Sequence, residues 1–157
     1  MIKAPLITET PLINIGVATI VIREDNTKVN TVLLGRRLKE WGTGLLQCPG
    51  GHPDPNESFE MTAWRETFEE TNLVLNIDTM KFLNYQDDYF SNIDRWYRTF
   101  FYAARPLNSN QLVINKEPTK CGGWNWYRLE TLLPEELHAI NAKTLMTIFQ
   151  FLNGNQQ

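Results

Sequence analysis

Residues 51–73 read GHPDPNESFEMTAWRETFEETNL and contain the strongest helix signal of the chain. Ser58 can accept a hydrogen bond from the first helical turn, where the carboxylate of Glu60 also complements the helix dipole. Asn72 tolerates the left-handed backbone conformation that commonly ends a helix. The pattern therefore predicts a helix over residues 58–71, preceded by a loop rich in proline and glycine.

Three glutamates share one side of that helix. At 100° per residue, Glu66, Glu69 and Glu70 fall within an arc of about 100°. Like charges at this spacing destabilise an exposed helix by roughly 0.2–0.5 kcal/mol per pair, and only Arg65 is close enough in sequence to offset them. A solvated acidic surface would explain the cluster, and so would a site for a hard divalent cation such as Mg²⁺. The opposite side is predicted to face the core, through Met61, Trp64, Thr67, Phe68 and Thr71.

The loop before the helix favours the second explanation. Residues 49–56 contain three prolines and two glycines, a composition that excludes regular structure. Because Gly50 and Gly51 have no side chains, their backbone amides and carbonyls can approach a metal ion or a phosphate closely. A glycine pair followed by an acid-faced helix predicts one compact site for a metal and an anion.

Length and charge narrow the class of protein. A chain of 157 residues with a net charge of −3 fits one globular domain, predicted to span residues 1–157. Nucleic-acid polymers are not predicted as partners, because proteins that grip their backbone carry a clear basic excess. No apolar run reaches the length of a membrane span, so no membrane association is predicted. The two cysteines, Cys48 and Cys121, are far apart in sequence and predict reduced thiols in a cytoplasmic protein.

The remaining pattern combines several strands with a second helical segment. Apolar residues at helical spacing predict a terminal helix over residues 139–152, after a helical turn at 134–137. The fold class is therefore predicted as α/β, with a mixed β-sheet sandwiched between helices. Runs rich in β-branched and aromatic residues predict strands over residues 12–22, 29–36, 45–48, 80–90, 96–104, 111–114 and 124–127.

The spacing of the charged residues resembles a known catalytic pattern, the Nudix box GX5EX7REUXEEXGU, in which U is a bulky aliphatic residue. Thr67 stands at the first U and can pack through its methyl group, and Asn72 replaces the glycine with a residue that tolerates the same backbone. Neither change removes a charged group, so the chain is identified as a member of the Nudix hydrolase family, with the Nudix fold. The matching positions, within residues 51–73, are Gly51, Glu57, Arg65, Glu66, Glu69, Glu70 and Leu73.

Segments outside the box resemble one branch of that family. Residues 32–37, 48–52 and 117–126 are similar to the small MutT-like nucleoside-triphosphate pyrophosphohydrolases of animals and plants, which act on oxidised or modified purine nucleotides. The resemblance implies hydrolysis of a nucleoside triphosphate, 8-oxo-dGTP among them, to a monophosphate and pyrophosphate. One alternative is a different substrate: ADP-ribose, NADH, a nucleotide sugar or dihydroneopterin triphosphate. A second alternative is a module that binds a nucleotide without turnover.

The resemblance also implies which residues hold the metal. Glu66, Glu69 and Glu70 are expected to bind Mg²⁺ or Mn²⁺ together with the carbonyl oxygen of Gly50. Glu66 is the first choice for the base that acts on the attacking water. Glu117, which lies in the third similar segment, is a further candidate ligand.

Other matching residues are expected to support the helix or contact the substrate. Glu57 and Arg65 are expected to brace the helix against the glycine loop, where a charge-assisted hydrogen bond would fix the ligand geometry. The expected partner is a small-molecule nucleotide, and the habit of the family implies a homodimer. The substrate contacts are expected from Arg37, Gly50, Gly51, His52 and Thr99.

Overall fold

The computed structural model describes residues 12–138 together with Thr144, Thr147, Ile148 and Leu152. Within these residues the chain forms seven strands, the α-helix α1 (Phe59–Thr71) and two single-turn 3₁₀ helices. The strands are β1 (Ile13–Glu24), β2 (Asn30–Arg37), β3 (Leu46–Gln47), β4 (Gly50–Gly51), β5 (Leu75–Phe90), β6 (Arg95–Pro106) and β7 (Cys121–Arg128), and the 3₁₀ turns are Leu129–Thr131 and Pro134–Glu136.

Strand β1 connects the sheet because it pairs with different neighbours along its length. It runs parallel to β6 from the pair Ile13–Trp96 to the pair Val21–Ala104. Its last residues pair antiparallel with β2, and its middle pairs with the two glycines of β4. The main strand order is β3-β2-β1-β6-β5, with β7 also on β2. The sheet is therefore mixed, as predicted.

Apolar side chains of β1 alternate between the two faces of the sheet. Ile20 and Ile22 belong to one buried cluster, which also contains Ile148 and Leu152. Val21, between them, belongs to a second cluster on the side where α1 packs. Because successive strand residues point to opposite faces, the sheet has helical residues against both of them. The predicted α/β class, with a sheet between helices, is confirmed.

The predicted strands are present with shifted ends, except for one. Strand β5 begins at Leu75, earlier than predicted, and β6 ends at Pro106. Residues 111–114 form no strand, and Leu112 is 80 % exposed. The prediction of a strand there was wrong because this segment crosses the end of α1, where the Ile114 N–H donates to the Thr71 carbonyl at 2.9 Å.

The two predicted helical segments near the end of the chain have different outcomes. The turn predicted at 134–137 is present as the 3₁₀ turn Pro134–Glu136. The helix predicted over 139–152 lies outside the described residues, except for Thr144, Thr147, Ile148 and Leu152, which are helical. In the part of the chain that the structure describes, no helix is long and apolar enough to cross a membrane.

Candidate active site

Helix α1 begins and ends at the predicted residues. The Ser58 hydroxyl accepts a hydrogen bond from the Met61 N–H at 3.2 Å, which satisfies a donor of the first turn. Asn72 has a φ of 63°, and its N–H donates to the Phe68 carbonyl at 2.9 Å. These two caps fix the ends of α1 and thereby the positions of its acidic residues relative to the glycine loop.

The buried side of α1 differs from the predicted one. Met61 is 47 % exposed, so its placement in the core was wrong. The buried side is rotated by roughly one residue step of 100° towards the glutamates. Small residues pack flat on the sheet there, as shown by the Thr19 hydroxyl of β1, which donates to the Ala63 carbonyl at 3.2 Å. The buried residues of the helix are Thr62, Ala63, Thr67, Glu70 and Thr71.

This rotation argues against a solvated surface as the explanation of the acidic cluster. Glu70 is buried at 9 % exposure, the Glu66 side chain is 16 % exposed, and only Glu69, at 53 %, is open to solvent. A solvated acidic surface would leave all three carboxylates exposed. The structure instead directs two of them towards the glycine loop and the sheet.

Arg65 connects the helix to the loop, as predicted for the Glu57–Arg65 pair. Its guanidinium donates to both carboxylate oxygens of Glu57, at 2.8 and 2.9 Å. The same group donates to the His52 carbonyl at 3.0 Å. It also reaches Glu66 at 2.9 Å and Glu69 at 3.1 Å. The hydrogen bond from Arg65 is the main cause that lowers the pKa of Glu57 to about 2.

The lowered pKa of Glu57 gives a prediction about acid stability. A group whose pKa falls on folding stabilises the protein above its unfolded pKa, and this contribution is lost as the pH falls through the folded pKa. Glu57→Gln is therefore expected to lower the melting temperature by roughly 2–6 °C at pH 7. The difference from wild type should disappear between pH 4.5, the ordinary value of the group, and pH 2.

Melting curves of the metal-free protein at several pH values would check this. Glu135→Gln is the matched control, because Glu135 is an exposed carboxylate outside the site. A difference between wild type and Glu57→Gln that stays constant down to pH 2 would contradict the assigned role of the pair.

The two glycines of β4 each allow a close approach. A Cβ atom on Gly50 would lie 2.2 Å from the Val17 carbonyl oxygen of β1. A Cβ atom on Gly51 would lie 2.3 Å from the carboxyl carbon of Glu66. The Gly50 N–H donates to the Glu70 carboxylate at 3.0 Å. Gly50 therefore fits between β1 and Glu70, and Gly51 leaves room for Glu66.

The electrostatic surroundings of Glu70 are unfavourable to its charge. Burial is the main cause that raises its pKa to about 8, and the Gly50 N–H acts in the opposite direction. The negative charges of Glu117 and Glu66 raise the pKa further, whereas Lys39 lowers it. Glu66 and Glu117 are thus each close enough to repel the charge of Glu70, and a cation bound by Glu70 would offset that repulsion.

The donor set fits the divalent cation that the family resemblance implies. Carboxylates and a backbone carbonyl are hard oxygen ligands, which Mg²⁺ and Mn²⁺ prefer. Within the described residues no three acidic, histidine or cysteine side chains are already gathered around one point. Each candidate carboxylate instead accepts a hydrogen bond from the protein: Glu66 and Glu69 from Arg65, Glu70 from Gly50, and Glu117 from Lys120.

A cleft of about 160 Å³ opens beside the glycine loop. Four of the five predicted substrate contacts line it, namely Gly50, Gly51, His52 and Thr99. A wider groove of about 1030 Å³ lies at the other end of β1, around Arg23 and Arg105, and none of the predicted site residues lines it. The smaller cleft is the one that adjoins the acidic side of α1.

Arg37 is not among the residues that line the cleft. Its guanidinium donates to the Trp41 carbonyl at 2.7 Å, to the Glu40 carbonyl at 3.2 Å and to the Gln47 side chain at 2.9 Å. These contacts hold the loop that follows β2. A contact between Arg37 and the substrate stays a prediction.

The cleft also contains residues that the sequence did not single out. Gln47 and Tyr97 line it, and the Tyr97 ring lies 6.2 Å from the ring of His52 in an edge-on arrangement. His138 lines it too. The His138 N–H donates to the Leu46 carbonyl at 2.8 Å, and burial is the main cause that lowers its pKa. The position of Tyr97, an aromatic residue two places before Thr99 in a predicted strand, is a signal that could have identified it. No sequence signal indicated His138.

Comparison with known families accounts for this arrangement. A family model described as the NUDIX domain matches residues 13–148. The chain belongs to the NUDIX domain family. The predictions of a Nudix fold and of a Nudix hydrolase are thereby confirmed, and the predicted Nudix box, residues 51–73, lies within the matched range.

Solved structures of Nudix proteins share the fold. The MutT NUDIX hydrolase from Burkholderia pseudomallei has a TM-score of 0.74 at 21 % identity, covering 87 % of this chain and 98 % of its own. The NUDIX domain of Shewanella oneidensis NrtR, complexed with ADP ribose, has a TM-score of 0.75 at 21 % identity, covering 91 % and 90 %. An Ap4A hydrolase of C. elegans has a TM-score of 0.71 at 20 % identity, covering 90 % and 99 %. At these identities the likeness concerns the fold.

Proposed function

We propose that this Nudix protein is a Mg²⁺- or Mn²⁺-dependent hydrolase that cleaves a nucleoside triphosphate to a nucleoside monophosphate and pyrophosphate. The observation that carries the proposal is the junction of two features at Gly50 and Gly51. On one side of these glycines lie the Nudix-box carboxylates, and on the other side lies the cleft with His52 and Thr99. One substrate can therefore place its phosphates at α1 and its base in the cleft.

The size of the cleft supports a substrate with one enclosed ring system. A volume of about 160 Å³ is well below the roughly 300–1,000 Å³ of pockets that enclose a whole drug-sized ligand. A nucleoside triphosphate can place only its base there, while the phosphates extend over the acidic helix. Thr99 and His52 are the proposed contacts to the nucleoside, and Arg37 is a proposed phosphate contact. Modified purines such as 8-oxo-dGTP are the proposed substrate class.

Each Nudix-box residue has a proposed task in this reaction. Glu66, Glu69 and Glu70 would hold the cation, with the Gly50 carbonyl and Glu117 as further ligands. The bound cation would neutralise phosphate charge and lower the pKa of a water molecule. Glu66 is the proposed base that accepts a proton from the attacking water.

Two further residues of the Nudix box, Glu57 and Arg65, are proposed to support catalysis by holding Glu66 in place. Glu57 and Arg65 keep the helix at a fixed distance from the glycine loop through two hydrogen bonds at 2.8 and 2.9 Å. A bidentate pair of this kind restricts rotation as well as distance. It would therefore hold Glu66, which Arg65 also contacts, in a constant position during turnover.

A second candidate function is cleavage of another diphosphate compound. Solved structures with this fold include a NUDIX domain bound to ADP ribose and an Ap4A hydrolase. In this proposal the Nudix box binds the cation and the diphosphate, and the rest of the pocket selects the group attached to the diphosphate. ADP-ribose, NADH, nucleotide sugars and dihydroneopterin triphosphate are therefore the alternative substrates.

³¹P NMR of the purified protein with Mg²⁺ and a substrate panel tests both candidates. The panel contains dGTP, 8-oxo-dGTP, dCTP, ADP-ribose, NADH and GDP-mannose. Pyrophosphate together with a monophosphate is expected from the triphosphates, most rapidly from 8-oxo-dGTP. Turnover of only the diphosphate-linked compounds would favour the second candidate. Saturable binding without turnover, even with Mn²⁺, would favour a nucleotide-binding module.

The cellular setting is proposed on the sequence alone. We propose a cytoplasmic protein, because its two widely separated cysteines fit reduced thiols. It would act on free nucleotides without a nucleic-acid polymer as partner, because the net charge of −3 carries no basic excess. A membrane partner is not proposed either, because no apolar run reaches the length of a membrane span. A homodimer is proposed because members of the family are commonly homodimers. Gel filtration with light scattering would distinguish a dimer from a monomer of 18.3 kDa.

A further inference from the structure

The segment between residues 114 and 121 is attached to the end of α1 that carries Glu70. The Ile114 N–H donates to the Thr71 carbonyl at 2.9 Å, and the Lys116 N–H donates to the Glu70 carbonyl at 3.1 Å. These bonds satisfy two carbonyls of the last helical turn, which have no partner within the helix. The attachment places the residues that follow Lys116 beside the Nudix-box carboxylates.

A tight turn then brings Glu117 and Lys120 together. The Lys120 N–H donates to the Glu117 carbonyl at 2.9 Å, and the Lys120 ammonium lies 2.6 Å from the Glu117 carboxylate. The pair raises the pKa of Lys120, and the charges of Glu70 and Glu66 add to the effect. The ammonium is thus a positive charge paired with one proposed ligand of the divalent cation, Glu117, and it is attracted by two more, Glu70 and Glu66.

We propose that Lys120 is an internal counter-ion of the metal site, which occupies Glu117 in the metal-free protein and must leave it when the divalent cation binds. Lys120 is then a positioning residue that sets the affinity for the metal. The inference rests on the proposed metal-dependent function, because it concerns the same carboxylates.

The chemistry of the side chain suits such an exchange. A lysine carries a compact charge on a flexible stem, and the Lys120 side chain is 47 % exposed, so it can turn to solvent. Arg65 is different, because its planar group is held by both oxygens of Glu57. An ammonium ion-paired with Glu117 competes with a divalent cation for the same carboxylate. The free energy needed to break the ion pair between Lys120 and Glu117 therefore opposes metal binding.

The same segment offers a matched control. The Lys116 ammonium lies over the ring of Phe68, at 4.3 Å from its centre. Lys116→Met removes the same charge from the same segment without removing an ion pair to a proposed ligand. A comparison of Lys120→Met with Lys116→Met separates local exchange from the general effect of net charge.

The experiment measures Mn²⁺ binding without any nucleotide, by the electron paramagnetic resonance signal of free Mn²⁺. Lys120→Met is expected to bind Mn²⁺ about tenfold tighter than wild type, and Lys116→Met less than about threefold tighter. The gain should also disappear when Glu117→Gln is added, because the counter-ion then has no carboxylate to occupy. Unchanged or weaker Mn²⁺ binding by Lys120→Met, or no detectable binding by either protein, would overturn the inference.

These outcomes are independent of those for the proposed function. A protein that hydrolyses nucleotides but binds Mn²⁺ equally with and without Lys120 would refute only the counter-ion. A protein that hydrolyses nothing in the substrate panel, yet binds Mn²⁺ more tightly after Lys120→Met, would refute only the proposed activity. Lys120→Arg is a further check, and it should keep the weaker metal affinity because the positive charge remains.

Discussion

Glu70→Gln is expected to lower turnover by at least about a hundredfold while the protein stays folded. Glu70 is the most buried of the three Nudix-box glutamates, and its carboxylate accepts the Gly50 N–H at 3.0 Å. A glutamine has nearly the same shape, and its carbonyl oxygen can accept the same hydrogen bond. The substitution therefore removes the negative charge that the metal needs and leaves the packing of α1 on the sheet intact.

The measurement combines steady-state kinetics on the best substrate of the panel with a melting curve. The melting temperature of Glu70→Gln should equal or exceed that of wild type, because a buried carboxylate with a raised pKa is replaced by a neutral group. Glu60→Gln is the matched control on the same helix, since Glu60 contacts the hydroxyl of Tyr102 and not the glycine loop. An unchanged rate in Glu70→Gln would refute the assignment of the metal site.

Gly51→Ala is expected to lower activity by about tenfold to a hundredfold with little change in stability. A methyl group on Gly51 would meet the carboxylate of Glu66, which is the far end of a flexible side chain held here by Arg65. The side chain can turn away without any movement of the backbone, but it then loses its hydrogen bond to Arg65 and no longer faces the site. The loss should therefore appear in kcat and in metal affinity rather than in the melting temperature.

Gly50→Ala is the informative comparison, because the same methyl group would there meet backbone atoms of β1. The Val17 carbonyl oxygen would lie 2.2 Å away, so a strand must move. Such overpacking costs typically about 1–3 kcal/mol, which corresponds to roughly 2–12 °C in melting temperature for a chain of this size. If Gly51→Ala destabilised the protein as much as Gly50→Ala, the distinction between the two positions would be wrong.

The local features of the site could be predicted from the sequence because they depend on spacing along the chain. The caps of α1, at Ser58 and Asn72, follow from residue type and position. The contact of Glu57 with Arg65 follows from the Nudix box, because the two residues are only eight positions apart in the chain. The central strands and the α/β class follow from runs of β-branched and aromatic residues separated by turns.

Features that depend on packing between distant segments could not be predicted in this way. The helical wheel placed Met61 in the core, but the small side chains of Thr62 and Ala63 fit the sheet more closely. His138 reaches the cleft through a single bridge between Leu46 and Leu137, which leaves no pattern in sequence. The ion pair of Lys120 with Glu117 depends on how residues 114–121 attach to α1, although the two residues are close in the chain.

The pairing of β1 with β6 has a consequence for how the protein folds. Asn14 and Trp96, which are joined by a hydrogen bond across this pairing, are 82 positions apart in the chain. Contacts of such high sequence separation form slowly, because the entropy of closing the loop must be offset before the pairing stabilises anything. The Nudix box lies within that loop, and Thr99, on the opposite wall of the cleft, lies on β6. A nascent chain that has not yet made β6 therefore has the acidic residues of α1 but lacks the strand that carries Thr99, the proposed contact to the nucleoside. The proposed nucleoside site is complete only after β6 has paired with β1.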